Sequence, residues 1–165
     1  MTAFKHILVP TDFGETSARA VDVAVTLARK FDSELTLYHA SWLPPASYSA
    51  YAEGLYWPTD EMAREAKKEL DEAVAKVKTL YPKTDAVIGQ GEPWQQVLAV
   101  AKERGADLIV MGTHGRRGLS RVFLGSVAEK IVRLSPIPVL TVSGSDEAKE
   151  RERAHAAAAP SGEAS

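Results

Sequence analysis

Short apolar runs alternate along this chain with longer stretches in which apolar residues recur every third or fourth position. Lys5–Val9, Glu34–Ala40, Thr84–Ile88, Leu108–Met111 and Ile137–Val142 are too short for helices and are bounded by turn residues, so they read as strands. Leu35, Leu37 and Tyr38 mark the second run as buried on both sides. The intervening stretches read as helices. Ala18, Val21, Val25 and Ala28 step along one face of a helix from about Thr16 to Phe31. Met62, Ala66, Leu70, Ala73, Val77 and Leu80 form the stripe of the longest helix, about Asp60 to Leu80. Its other face carries Glu61, Arg64, Glu65, Lys68, Glu69 and Lys76. Trp94, Val97, Leu98 and Ala101 line a helix opened by Gly91-Glu92-Pro93 and stopped by Gly105. Val127–Leu134 is the last full helix. Strict alternation of strand and helix predicts an α/β fold, an open doubly wound parallel sheet with right-handed crossovers and helices on both faces.

Three segments depart from this rhythm. The connection from Trp42 to Thr59 is long and rich in proline and aromatic residues, suited either to covering a bound base or partner or to packing on itself. Pro138 cannot donate a ladder hydrogen bond, so the fifth strand belongs at a sheet edge. The uncharged Val139, Leu140, Thr141 and Val142 make that edge prone to pairing with a second copy about a two-fold axis. Beyond Gly144 the chain turns to charged, alanine and small residues. Residues 145–165 are therefore expected to form a disordered tail and 1–144 a single domain.

Composition narrows the function. A chain of 165 residues with 45% hydrophobic and 25% charged residues is that of an ordinary one-domain globular protein. A net charge of −2 offers no basic field to nucleic acid or an acidic membrane. The lack of cysteine excludes disulfides, thiolate metal sites and a cysteine nucleophile, and fits a reducing cytoplasm. The start, Met1 to His6, leads straight into a strand without a signal-peptide pattern. No apolar run approaches the roughly 20 residues a membrane-spanning helix needs. A cytoplasmic location without membrane insertion is the expectation.

The chemistry concentrates between Gly112 and Ser126. Here a buried strand runs into a glycine-bearing loop with Arg116 and Arg117, and Ser126-Val127-Ala128-Glu129 has the form of a capping box opening a helix. Strand, glycine loop and helix N-terminus together make an anion site, because the first helical N–H groups lack intrahelical partners. Each glycine alone is ordinary turn punctuation; the whole spacing, G-x-x-G-x9-G-S, reads as a phosphate cradle for a nucleotide. Neither a G-x-x-x-x-G-K-[ST] loop nor a G-x-G-x-x-G turn is present. In the first loop, Asp12 suits ribose hydroxyls, which a carboxylate can accept from, or the cap of the first helix. His114 has the chemistry of an acid or base or of a structural histidine, and the four histidines show no metal-ligand spacing.

At these residues the chain resembles the universal stress protein family, in its ATP-binding branch with G-x-x-G-x9-G-[ST]. Gly112, Gly115, Gly125 and Ser126 match the motif, and Ile7-Leu8-Val9-Pro10-Thr11-Asp12, Asp107 to Gly112 and Pro136 to Leu140 fit the same pattern over about residues 3 to 143. The resemblance implies an adenine-nucleotide α-hydrolase-like sheet of order 3-2-1-4-5. It implies that Asp12 takes the ribose, with Pro10 and Thr11 shaping the wall and Ala40 beside the adenine. Met111 and Gly112 would flank sugar and phosphates, while Gly115, Arg116, Gly125, Ser126 and Val127 would hold the phosphate chain. Ala40 is smaller than the branched residue associated with the adenine wall, and Arg116-Arg117 is unusually basic. The ligand implied is ATP, with Mg2+ or Mn2+ carried on the phosphates. The reading is a nucleotide-dependent stress-response dimer with no dedicated catalytic residue. Its rivals are a slow ATP hydrolase or adenylyl-transferring enzyme, and a chaperone-like scaffolding dimer with a vestigial pocket.

Overall fold

The computed structural model describes residues 4–41, 59–114 and 124–144. The strands are β1 (His6–Pro10), β2 (Glu34–Ser41), β3 (Thr84–Gln90), β4 (Leu108–Gly112) and β5 (Val139–Val142). The helices are α1 (Glu15–Phe31), α2 (Thr59–Leu80), α3 (Pro93–Arg104) and α4 (Ser126–Leu134). All strand pairings are parallel, and the order β3-β2-β1-β4-β5 is the one anticipated. Element boundaries shift by a few residues; β5 begins at Val139 rather than Ile137, just beyond Pro138. Pro138 still contributes to the sheet, since its carbonyl accepts from the Ile109 N–H at 3.0 Å. The long connection, apart from Thr59, and the tail lie outside the described residues.

Alternate side chains of each inner strand feed two separate cores, which is why the sequence shows unbroken apolar runs rather than alternation. Ile7, Val9, Leu35, Leu37, Leu108 and Val110 face α1 and α2. Leu8, Tyr38, Ile109 and Met111 face α3 and α4, where Val97, Ala101, Ala128 and Ile131 meet them. Gly105 stops α3 in the left-handed conformation, at φ 65°.

The expected stripes hold in part, since Val25 and Ala28 of α1 and Leu70 and Val77 of α2 are buried, and they fail at other positions. In α1 the residues against the sheet are Ser17, Ala20, Ala24, Val25 and Ala28, while Ala18 is exposed. Small side chains let the helix lie close to the sheet, and a stripe drawn through larger residues misses them. In α2 the contact is carried by Leu70 and Val77, continued by Tyr81 beyond the helix end. The Tyr81 hydroxyl donates to the Ser33 carbonyl at 2.5 Å. Met62 and Leu80, placed on the stripe by spacing, are 42% and 50% exposed.

The amino ends of the strands are closed by a polar network. The His6 Nδ1–H donates to the Arg104 carbonyl at 2.9 Å, and Nε2 is hydrogen-bonded to Thr36 Oγ1 at 2.8 Å. Thr36 in turn donates to Asp85, whose other oxygen is paired with Arg104 at 2.7 Å. Asp107 accepts from the backbone N–H groups of Lys5 and His6 at 2.7 and 3.2 Å. The first three strands and the end of α3 are thereby fastened at one edge.

This packing separates two leucines that sequence spacing treats alike. Leu37→Ala should lower stability by about 2–5 kcal/mol, the range for a truncated core leucine. Leu80→Ala should stay within about 0.5 kcal/mol. Urea unfolding of the two variants checks the pair.

Candidate functional site

The strand order reverses at β1, which pairs with β2 on one side and β4 on the other. Beyond the carboxyl ends there, the connections leave for opposite faces, and such a reversal is the usual ligand position in sheets of this kind. Pro10 ends β1 and Thr11 and Asp12 follow it; Met111 and Gly112 end β4; Gly125, Ser126 and Val127 open α4. Ala40 lies near the end of β2, half-buried against the same core as Met111 and Val127. Gly115 and Arg116 lie outside the described residues, as does Arg117.

The first loop is held from within. The Thr11 N–H donates to the Tyr38 carbonyl at 2.8 Å. Thr11 Oγ1 accepts from the Phe13 N–H at 3.0 Å and lies 3.2 Å from Ser17 Oγ, which donates to the Gly14 carbonyl at 3.0 Å. Asp12 Oδ1 accepts from the Gly14 N–H at 3.0 Å. The cap of α1 is Gly14, with no side-chain cap bond, so Asp12 fixes a turn before the helix instead of capping it. Phe13 sits at φ 62°, a left-handed conformation that costs a bulky residue energy. Its ring packs on His39 with centroids 4.5 Å apart, and His39 Nδ1–H donates to the Thr11 carbonyl at 2.8 Å. Sequence patterning gave His39 no role beyond its strand. Its neighbours in sequence reveal none, because the contact spans 28 residues.

The second loop is closed at its base. The Gly125 N–H donates to the Thr113 carbonyl at 2.8 Å, tying the end of the loop back to its start. Buried Thr113 is anchored in turn by its own N–H to the Val142 carbonyl at 3.0 Å. Gly112 and Gly125 are needed for room, not for left-handed backbone. Among the described glycines only Gly91 and Gly105 have positive φ. A Cβ at Gly112 would stand 2.9 Å from Thr16 Cγ2 and 3.1 Å from the Thr16 carbonyl carbon, so β4 passes directly against the start of α1. At Gly125, whose φ is −59°, a Cβ would stand 3.1 Å from the Thr113 oxygen.

The capping box anticipated at Ser126 does not form. Gly125 is the cap, Ser126 is the first helical residue, and among the described residues no side-chain cap bond closes α4. Glu129 instead pairs with Arg133 at 3.3 Å, one turn along. A glycine cap has no side-chain oxygen to spend on the first N–H groups, so the positive end of α4 is left for a ligand or solvent. His114 Nδ1 lies 3.2 Å from Thr113 Oγ1, as part of the loop base.

Tyr38 is the feature that patterning missed. It is 1% exposed, and its hydroxyl has no hydrogen-bond partner among the described residues. Burial pushes its phenol pKa above the ordinary tyrosine value. An occluded hydroxyl without a partner is unusual enough to require an explanation.

A second concavity, of about 770 Å³, lies at the opposite edge and is lined by Lys5, His6, Asp32, Lys83, Asp85 and Arg104 among others. Its charges are already matched, Lys83 with Asp32 at 2.6 Å and Arg104 with Asp85 at 2.7 Å. It offers no net positive field to a nucleotide.

Residues 3–143 match the family model described as the universal stress protein family. A universal stress protein of Bacillus subtilis is 36% identical over 146 residues, covering 84% of this chain and 99% of that protein. One of Methanocaldococcus jannaschii is 35% identical over 143 residues, covering 84% of this chain and 82% of that protein. Among solved structures, a universal stress protein from Lactobacillus plantarum is similar with a TM-score of 0.72 at 26% identity, over 86% of this chain and 99% of that one. A universal stress protein solved in complex with cAMP is similar with a TM-score of 0.56 at 26% identity, over 86% of this chain and 98% of that one.

The two glycines differ in what blocks them, and their variants should differ accordingly. Gly112→Ala presses on α1 backbone and should cost about 1–3 kcal/mol, the range for overpacking. Gly125→Ala meets a single carbonyl oxygen at the mouth of a loop and should cost less. Thermal unfolding of both proteins without ligand gives the comparison.

Proposed function

Because this chain belongs to the universal stress protein family, we propose that it binds ATP at the carboxyl ends of β1 and β4 and acts as a nucleotide-dependent regulatory dimer. The observation that carries this reading is the uncapped N-terminus of α4, standing across the sheet reversal from the turn that Asp12 holds. A phosphate suits the first and a sugar the second. Exposed N–H groups and the helix dipole favour anionic oxygen. A carboxylate repels phosphate but accepts from ribose hydroxyls, and fixing one of its oxygens on Gly14 holds it in one orientation. The cAMP complex of a structural neighbour supports an adenine nucleotide as the ligand class.

In this reading Pro10 and Thr11 form the wall beside the ribose and Ala40 lies by the base. Met111 and Gly112 flank sugar and phosphates, and Ser126 and Val127 offer their N–H groups to the phosphates. Gly125 keeps the loop base narrow, and Gly115 and Arg116 complete the cradle. A Mg2+ or Mn2+ ion would ride on the phosphates, with waters completing its shell. Regulation in the cytoplasm through occupancy, rather than turnover, is the role assigned.

The dimer belongs to the same proposal. β5 is an edge strand with no charge in it, and Leu140 is 39% exposed. Pairing of this edge with its copy antiparallel would cover it.

Two measurements test the reading. Asp12→Ala should weaken ATP binding by about 1–3 kcal/mol in calorimetry, the range for hydrogen bonds to a charged group. Unchanged affinity with a lowered melting temperature would leave Asp12 only its turn. Leu140→Lys with Val142→Glu should give monomers in sedimentation that still bind ATP. A wild-type protein that sediments as a monomer at micromolar concentration contradicts the dimer.

A further inference from the structure

Tyr38 leans along β2 toward the carboxyl edge of the sheet. Its own partner across the strand pair is Val87, yet its hydroxyl reaches Gly89, the partner of Ala40. A Cβ at Gly89 would stand 2.4 Å from that oxygen and 3.2 Å from two ring carbons, so the ring occupies the place a side chain would take there. Ala40 is on the same face of β2 as Tyr38, because side chains two apart in a strand point the same way. Half-buried Ala40, Val87 and Trp94 pack against the core that holds Tyr38. The phenol oxygen thus ends against Gly89, the strand partner of Ala40, at the end of β2 where the base is assigned.

We propose that the Tyr38 hydroxyl reads the edge of the nucleotide base. This rests on the nucleotide reading above and names the group that gives that site its base contact. A phenol both donates and accepts, and an adenine edge presents an amino donor beside a ring-nitrogen acceptor. The buried hydroxyl has no partner in the described protein, so a bound base would supply the one it lacks. The small residues at 40 and 89 matter to this contact: a side chain at 89 would displace the ring, and a larger one at 40 would stand between oxygen and base. Binding replaces whatever occludes the oxygen, and the hydrogen bond gained offsets that opening.

The test compares ATP with inorganic triphosphate, which shares the phosphates and lacks the base, on wild type, Tyr38→Phe and Gly89→Ala. Calorimetry of wild type should show ATP bound more tightly than triphosphate. Tyr38→Phe should lose about threefold to tenfold in ATP affinity, leave triphosphate affinity unchanged, and be at least as stable in urea as wild type. Gly89→Ala, which displaces the hydroxyl without removing it, should also weaken ATP and spare triphosphate. Unchanged ATP affinity in both variants, or equal losses for the two ligands, overturns the role of Tyr38 and leaves nucleotide binding standing. Wild type that binds neither ligand overturns the nucleotide reading and this inference with it.

Discussion

The parallel pairing of β1 with both β2 and β4 is the constraint on which the rest depends. Ile7, Leu8 and Val9 are wholly buried, and each feeds one of two cores that share no side chain across the sheet. A strand in that position can belong only to a chain that winds outward in both directions. The reversal then follows as a consequence of connectivity, and with it the juxtaposition of the loop after β1 and the loop after β4. The start of α4 is brought to the end of β4 by the Gly125 N–H, which donates to the Thr113 carbonyl at 2.8 Å.

The two edges of the sheet are treated in opposite ways. At the amino ends, buried polar groups are matched in a chain running from Arg104 through His6 and Thr36 to Asp85 and back to Arg104. At the carboxyl ends, among the described residues, a helix starts without a side-chain cap, a phenylalanine is held left-handed, and a buried phenol lacks a partner. Each of these costs energy that a closed edge would avoid, and departures of this kind gather where a protein must act. The amino edge is therefore the fastening of the sheet.

Architecture was legible because two-sided burial writes an unbroken apolar run for each inner strand, and because proline at 138 has only one kind of place in a sheet. Gly105 was legible as a helix stop because glycine alone takes that conformation cheaply. The contact face of α1 was legible only in part. Ala20 and Ala24 carry the α1 contact through closeness, which hydrophobicity does not weigh. The capping box failed for a related reason. The residue one step earlier, Gly125, is pinned to Thr113 and takes the cap itself, which moves Ser126 into the helix. Within the site, the spacing of Asp12, Gly112, Gly125 and Ser126 could be read locally. The contacts of Tyr38 with Gly89 and of His39 with Thr11 join residues from different strands and loops, and no local pattern announces them.

The outer strands show how one sheet can leave one edge for assembly and keep the other apart. β3 carries Asp85, committed to Thr36 and Arg104, so a copy laid along it would meet a charged pair at its amino end. Such inward commitments of charge are among the devices that keep edge strands from pairing with other chains. β5 has nothing comparable, since its residues are Val139, Leu140, Thr141 and Val142. Its position is nevertheless firmly set from the inside, because β4 pairs with all four and Arg19 of α1 donates to the Ser143 carbonyl at 2.7 Å. A rigid, uncharged edge loses little order on pairing, whereas a loose one would have to be fixed first. That asymmetry makes β5, rather than β3, the edge suited to meeting a second copy in the proposed dimer. The Val142 carbonyl that ends β5 accepts from Thr113, whose own carbonyl holds Gly125 at the base of the loop between β4 and α4. Two hydrogen bonds therefore join the end of β5 to the cap of α4.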